Sequence, residues 1–359
     1  MLGAILTPAA NAASSPHPAT PRSIVPRPHG AAPAVITGPL VNRGGPVQTA
    51  PRVYVDYWGW TSDPSGEQSY LNSFLSAIGG TPWLSVVNQY SGAGWTGDLL
   101  AGTWSDPSAI PATPTDAQIQ AEAAAAASHF GVGNSVNVQI VVATPTGHST
   151  SGFGTSYCAY HGAVAADPSI TYTDLPYLTD AGGSCGENSV NGGSGGVLDG
   201  VGIVEGHELA ESITDPLVNA WLDAGGNEIG DKCAWTSLAN VTTYGGTFAV
   251  QPLWSNAANG CVLHPGGPSL NVVTAIGSGV YHEQRYWDGD WYGLNFQTAA
   301  PGTITSIGAS ADSAGNLQVV VAIGSAIYHE IRYANGTWSA LSYQTTAPGG
   351  ITAISGAIG

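Results

Sequence analysis

No lysine or arginine occurs between Arg52 and Lys232, yet four of the chain's 24 acids fall within the short stretch from Glu205 to Asp215. A fold that buries this stretch must supply the missing positive charge from elsewhere. The stretch, VGIVEGHELAESITDP, reads as a helix that starts near Asp199 and is stopped by Pro216. At about 100° per residue, Glu211, Asp215 and Glu208 lie within about 100° of His207, while Leu209 and Ile213 fall on the opposite side. One flank therefore carries an imidazole and three carboxylates, and the other packs inward. Glu211 and Asp215 are like charges at i, i+4, which destabilises a helix by a few tenths of a kcal/mol. Glu205 adds to the charge. A solvated acidic face is the plain alternative, but the apolar flanks GVGIVE and ITDPLV argue for burial. A bound divalent metal is then the most economical counter-charge.

Composition narrows the setting. Only 9% of the 359 residues are charged, against roughly 25% in an average soluble domain, and the net charge is −17. With seven lysines and arginines in all, the chain has no basic stripe for phosphates, which excludes nucleic acid and polybasic attraction to lipid. No run of about 20 apolar residues is present, so no membrane span is expected. The cysteines, Cys158, Cys185, Cys233 and Cys261, form no CxxC pair, which disfavours a zinc ribbon. Two disulfides fit an extracellular chain. Of three connectivities, Cys158–Cys185 with Cys233–Cys261 is the simplest.

The organisation follows from pattern. Residues 1–13 read as the latter half of a signal peptide, ending in the small-residue pattern Ala10-Asn11-Ala12. Residues 14–50, rich in Pro and Ala, read as a linker or propeptide, with order expected from Arg52. Residues 51–265 alternate strand and helix patterns, which predicts an α/β or α+β domain. RVYVDYWGW and 137–145 read as strands, and 66–80 and 116–131 as helices. A long Gly/Ser-rich loop region is expected to hold Cys158, His161 and Cys185. Residues 266–359 are different. GSGVYHEQRYWDGDWYGLNFQTAAPG (277–302) returns 47 residues later as GSAIYHEIRYANGTWSALSYQTTAPG. Tyr281/Tyr328, His282/His329, Arg285/Arg332, Trp291/Trp338 and Gln297/Gln344 match. The turn signals Asp288-Gly289 and Asn335-Gly336 complete the picture of an all-β region of propeller-type blades. The chain stops partway into a further copy, so the ring is expected to be incomplete. The copies resemble those of secreted lectin-like β-propellers, which implies binding to cell-surface glycans.

His207-Glu208-Leu-Ala-Glu211 is similar to the zincin HExxH motif, with Glu211 in place of the second His. A carboxylate still suits zinc but lowers its Lewis acidity. Glu208 stands where the general base of such enzymes stands. Asn227-Glu228-Ile-Gly-Asp231 looks like a shortened version of the gluzincin arrangement, in which a downstream Glu completes the site. Either Glu228 or Asp231 is the expected third ligand, with Asp215 as rival. His161 is a further candidate, as ligand, electrophile or satisfied core histidine. Paired carboxylates for glycoside hydrolysis are the weaker reading, because Glu208 and Glu211 share one helix beside a His.

VYVDYWG, TDAQIQAEAAAAASHFG, SYCAYHG, GVGIVEGHELAESITDPLVNAW, EIGDKC and the NGC around Cys261 occur in one order over about 60% of the chain. In these stretches the chain resembles the EXORDIUM-like, phosphate-induced secreted proteins and their bacterial relatives. The resemblance implies an extracellular or wall-associated location and a zincin-like core. The repeats are an appended module. The expectation is a secreted, zinc-dependent metallopeptidase-like hydrolase acting on a protein or peptide. His207, Glu211 and Glu228 or Asp231 would hold the metal, and Glu208 would act as base. The alternative is a non-catalytic surface-binding protein in which the metal is structural or vestigial.

Overall fold

The computed structural model describes residues 22–27, 36–92, 98–243, 245–265, 268–286, 291–311, 316–333 and 337–355. The expected signal-peptide remnant, residues 1–13, lies outside the described residues. The chain divides into two units, residues 1–265 and 266–359.

In the first unit the chain runs through β1 (Arg22–Ile24), β2 (Val41–Asn42), β3 (Arg52–Tyr57), α1 (Glu67–Ala77), the short helix α2 (Asn88–Ser91) and β4 (Leu100–Trp104). There follow α3 (Asp116–Phe130), β5 (Val138–Ala143), β6 (Ala159–Val164), β7 (Asp167–Leu175) and α4 (Asp199–Thr214). The rest forms short antiparallel pairs. β8 (Trp221–Leu222) joins β2, β9 (Ala239–Thr243) joins β10 (Gly246–Val250), and β11 (Leu253–Ser255) joins β12 (Gly260–Val262).

One six-stranded sheet, in the order β1-β6-β7-β5-β3-β4, organises this mixed α/β unit. The four strands β4, β3, β5 and β7 are parallel. β6 and then β1 add antiparallel at one edge. The period-two alternation of RVYVDYW assigns the two faces. Val53, Val55 and Tyr57 enter a core with Phe74 and Leu75 of α1 and Ile203 and Leu209 of α4. Tyr54 and Trp58 join the opposite core, where Ile119, Ala123 and Ala126 of α3 meet Ile140 and Val142. Every residue of β5 is buried, as expected of a parallel strand covered on both sides.

α4 is buried along its whole length, which rules out a solvated acidic face. It carries glycines that would each cost about 1 kcal/mol in an exposed helix. Close approach explains Gly202, where an added Cβ would stand 2.4 Å from the carbonyl oxygen of Ala249 on β10.

Two expectations need correction. Order begins before Arg52: Ile24, Leu40 and Gln48 are buried, and β1 pairs with β6. The X-Pro steps that suggested a loose linker also suit an edge strand, where proline leaves no ladder bond unmade. His161 is not in a loop. It is the third residue of β6, whose six residues are all buried between β1 and β7. Its glycine and histidine hide a strand whose burial comes from neighbours distant in sequence.

Both disulfides form in the local pairing, Cys158–Cys185 and Cys233–Cys261. No described helix is long and apolar enough to cross a membrane.

The second unit is all β. β13 (Pro268–Ile276), β14 (Gly279–Tyr286) and β15 (Trp291–Ala299) make a three-stranded antiparallel sheet. β16 (Ser306–Ala311), β17 (Leu317–Ile323), β18 (Ala326–Arg332) and β19 (Ser342–Thr346) make a four-stranded one. The repeat is visible in side-chain detail. His282 Nε2 lies 2.9 Å from Asn271 Oδ1, and its counterpart His329 Nε2 lies 2.8 Å from Gln318 Oε1. Tyr281 packs edge-on to Phe296 as Tyr328 does to Tyr343. The two expected turns and the side chains of Arg285 and Trp291 lie outside the described residues.

Candidate metal centre

α4 directs His207, Glu208 and Glu211 toward His161 on the neighbouring strand β6. His161 Nδ1 lies 3.0 Å from Glu208 Oε2 and 3.6 Å from Glu211 Oε2. His207 Nε2 lies 3.0 Å from Glu211 Oε1. The turn after β8 closes the cluster, with Glu228 Oε1 3.5 Å from His161 Nε2 and Asp231 Oδ1 3.8 Å from His207 Nε2. Six of the residues singled out in the sequence, His161, His207, Glu208, Glu211, Glu228 and Asp231, thus meet in one place. Two donor sets of ligating atoms share Glu211: His207 with Asp231, and His161 with Glu228.

The turn is built for this approach. The backbone N–H groups of Gly230 and Asp231 donate to Glu211 Oε1 at 3.2 and 2.9 Å. A Cβ at Gly230 would stand 2.7 Å from His207 Nδ1 and 2.9 Å from Glu211 Oε1. Gly230 is therefore part of the site although it carries no ligand, and the glycine within Asn-Glu-x-Gly-Asp was its only trace in the sequence. The Cys233–Cys261 disulfide anchors the end of the same turn.

The side chains of Asp215 and Glu205 belong to neither donor set, although the Asp215 carbonyl lies 3.4 Å from His161 Nε2. Asp215 Oδ1 accepts from the backbone N–H groups of Asn219 and Ala220, so this residue shapes the turn that follows α4. Glu205 is fully buried on α4 without a hydrogen-bond partner. Lys232, the nearest lysine in sequence, is turned away onto Asp223 Oδ2 at 3.3 Å and over the Trp254 ring.

His161, His207, Glu208, Glu211 and Glu228 have no solvent exposure. Both ring nitrogens of His207, Glu211 Oε2 and both carboxylate oxygens of Glu228 make no hydrogen bond. An unmade bond on a buried polar atom costs about 1–3 kcal/mol, so such a concentration demands compensation. Titration reflects the same crowding. Burial alone would lower the His207 pKa, but Glu211, Glu208 and Asp231 push it up to about 10. Burial opposes a raised His161 as well, and Glu208 overcomes it. Burial would raise Glu211, yet His207 and His161 hold it below the usual carboxylate range. Burial followed by Glu211 drives Glu228 well up, and the same pair of causes takes Asp231 to about 6.

The imidazole and carboxylate donors suit zinc chemically. Ligands about 2.0–2.1 Å from one tetrahedral ion stand roughly 3.4 Å apart. The observed separations of 3.0 and 3.8 Å around His207 Nε2 bracket that value, so the residues fit the group.

One further element touches the site. The backbone N–H of Ile24 on β1 donates to Glu208 Oε1 at 3.2 Å. β1 is held there by Cys158 N–H to Ile24 O (2.9 Å), and the following residues by Trp235 Nε1 to Val25 O (2.7 Å) and Arg27 N–H to Ser184 O (2.8 Å). Nothing in the sequence of this proline-rich segment signalled the contact.

Comparison with family models, curated proteins and solved structures finds no match.

Proposed function

We propose that this protein is a secreted, zinc-dependent hydrolase of the metallopeptidase type. The observation that carries the reading is the convergence of two imidazoles and three glutamates in a wholly buried cluster that leaves both ring nitrogens of His207, one oxygen of Glu211 and both oxygens of Glu228 without a hydrogen bond. His207, Glu211 and Asp231 would hold the metal, with His161 and Glu228 as the alternative set around the shared Glu211. When bound, zinc would supply Lewis acidity to polarise a peptide carbonyl and to acidify water. Glu208 belongs to neither donor set, so its carboxylate would serve as the base once the Ile24 amide releases its Oε1. His161, 3.0 Å from Glu208 Oε2, orients that carboxylate and shares its proton. The resemblance of its motifs to those of the phosphate-induced secreted proteins, together with the two disulfides, supports an extracellular or wall-associated setting. The repeats would add attachment to surface glycans in a propeller-type assembly.

A second reading has its own observation. Ile24 already occupies Glu208, and both histidines and all three glutamates of the cluster are fully buried, as suits a metal that only cross-links the core. Under the first reading residues 22–27 must be displaced before a substrate can enter.

Metal content by elemental mass spectrometry, on wild type and His207→Ala side by side, tests both. About one zinc per chain, lost in the variant, supports the metal centre. No metal in either protein removes the enzyme reading. Glu208→Gln then separates the two: it abolishes peptide hydrolysis with zinc retained if Glu208 is the base, and changes nothing if the metal is structural.

A further inference from the structure

A second group of acids lies on the other side of the sheet. Asp56 sits near the C-terminal end of β3, Asp106 just beyond β4, and Glu122 in the middle of α3. One carboxylate oxygen from each falls within 4.8 Å of the other two. Alternation along β3 puts Asp56 between Val55 and Tyr57, which face α4, so its own side chain enters the α3 core.

Asp56 has no solvent exposure, and neither of its oxygens has a hydrogen-bond partner. Glu122 Oε1 is buried and unpartnered in the same way. The group facing Asp56 is the Glu122 carboxyl, a second acceptor that brings no positive charge. Asp106 is held in place by its own loop. Its Oδ1 accepts from the Ser108 N–H at 2.8 Å and its Oδ2 from the Ser108 hydroxyl at 2.9 Å. The Trp58 indole N–H donates to that hydroxyl at 2.8 Å. Three acids from three separated segments are thus brought together in an apolar core, and no described ion pair joins any of them to a lysine or arginine.

We propose that Asp56, Asp106 and Glu122 form a binding site for a hard divalent cation, with calcium as the natural occupant. The donors are all oxygen, which selects calcium over zinc, since no imidazole or thiolate belongs to the set. Three carboxylates, used singly or in pairs, supply up to six oxygens, and the neighbouring solvent-facing edge at Asp106 admits water to complete the shell. The ion would tie the ends of β3 and β4 to α3. Its role is to hold the sheet together, independent of any chemistry at His207.

Two readouts on the full-length protein, stripped with chelator, test the site. Terbium is the probe for binding, because the indoles of Trp58 and Trp104 beside the acids sensitise its emission. Calcium is the probe for stability. We expect calcium-displaceable terbium emission, and a melting temperature raised by about 5–10 °C at a hundredfold excess of calcium over its dissociation constant. Asp56→Asn and Glu122→Gln should each abolish both responses, while Glu211→Gln on α4 leaves them intact. If Asp56→Asn fails to fold, Glu122→Gln carries the test. Emission and melting shift that persist in both variants would overturn the proposal. So would their absence from wild type, which would leave a proton shared between Asp56 and Glu122 as the compensation.

Discussion

The two buried acidic clusters occupy opposite faces of one sheet and solve the same problem with different materials. On the α4 face, His161 and His207 stand among the carboxylates, so protonated imidazole can balance charge when no metal is present. On the α3 face no histidine belongs to the set formed by Asp56, Asp106 and Glu122. The first cluster is further enclosed by a turn, a disulfide and a strand from the N-terminal region. The second relies on a sheet end and a helix. Softer, mixed donors with many supports suit an ion that does chemistry or fixes a core. Hard, bare oxygens suit one that staples strands.

The comparison can be broken from the α4 side first. Cys233→Ser/Cys261→Ser frees the turn that carries Glu228 and Asp231. Opening a loop with a sequence separation of 28 should cost about 3–4 kcal/mol by the chain-entropy estimate. Denaturant unfolding should show that loss together with a drop in zinc content, while the calcium response at Asp56 stays. If calcium binding fell equally, the two faces would not be independent.

A smaller change sharpens the same point. Gly230→Ala adds one methyl group against His207 and Glu211, and should cost about 1–3 kcal/mol. It also disturbs the N–H donors that orient Glu211, so zinc affinity should fall about 10–100-fold in a competitive chelator titration. Unchanged affinity would mean that the turn does not orient the ligand.

A pH slope tests the same separation. In metal-free protein the His207 pKa lies at about 10 against an ordinary 6.5. Its contribution to stability is fully present below 6.5 and is lost as pH rises through 10. Asp56, raised by burial and then by Glu122 from 3.8 to about 9, loses its contribution over a window that opens at lower pH. Stability curves in chelator, wild type minus His207→Ala and wild type minus Asp56→Asn, should separate the two windows. Identical difference curves would contradict the assignment of separate clusters.

The two clusters also differ in how far the sequence reveals them. His207, Glu208 and Glu211 lie within one helical turn and a half, and helix periodicity alone puts them on one flank. Glu228 and Asp231 follow closely enough to be read as the closing turn. Asp56, Asp106 and Glu122 are spread over three elements, and only the pairing of β3 with β4 and the seating of α3 unite them. The same reason hid β1. A three-residue strand in a proline-rich segment has no periodicity to detect, and its burial is conferred by β6 and Trp235. His161 stands out in the sequence by its chemistry while its strand reads as loop, because Gly162 and the preceding glycines mask a pattern set by long-range pairing. The helices at 67–77 and 116–130 and the 47-residue repeat were legible because each signal is local or self-similar.

The bond from the Ile24 amide to Glu208 gives the molecule a clock. A sheet amide usually protects itself by pairing with a carbonyl, and its exchange with solvent then reports only on the sheet. Here the acceptor is the carboxylate on which the proposed chemistry depends. That proton exchanges with solvent only when the bond to Glu208 opens, so its exchange rate is a lower bound on how often Glu208 is released, and no turnover that needs this release can outrun the opening itself.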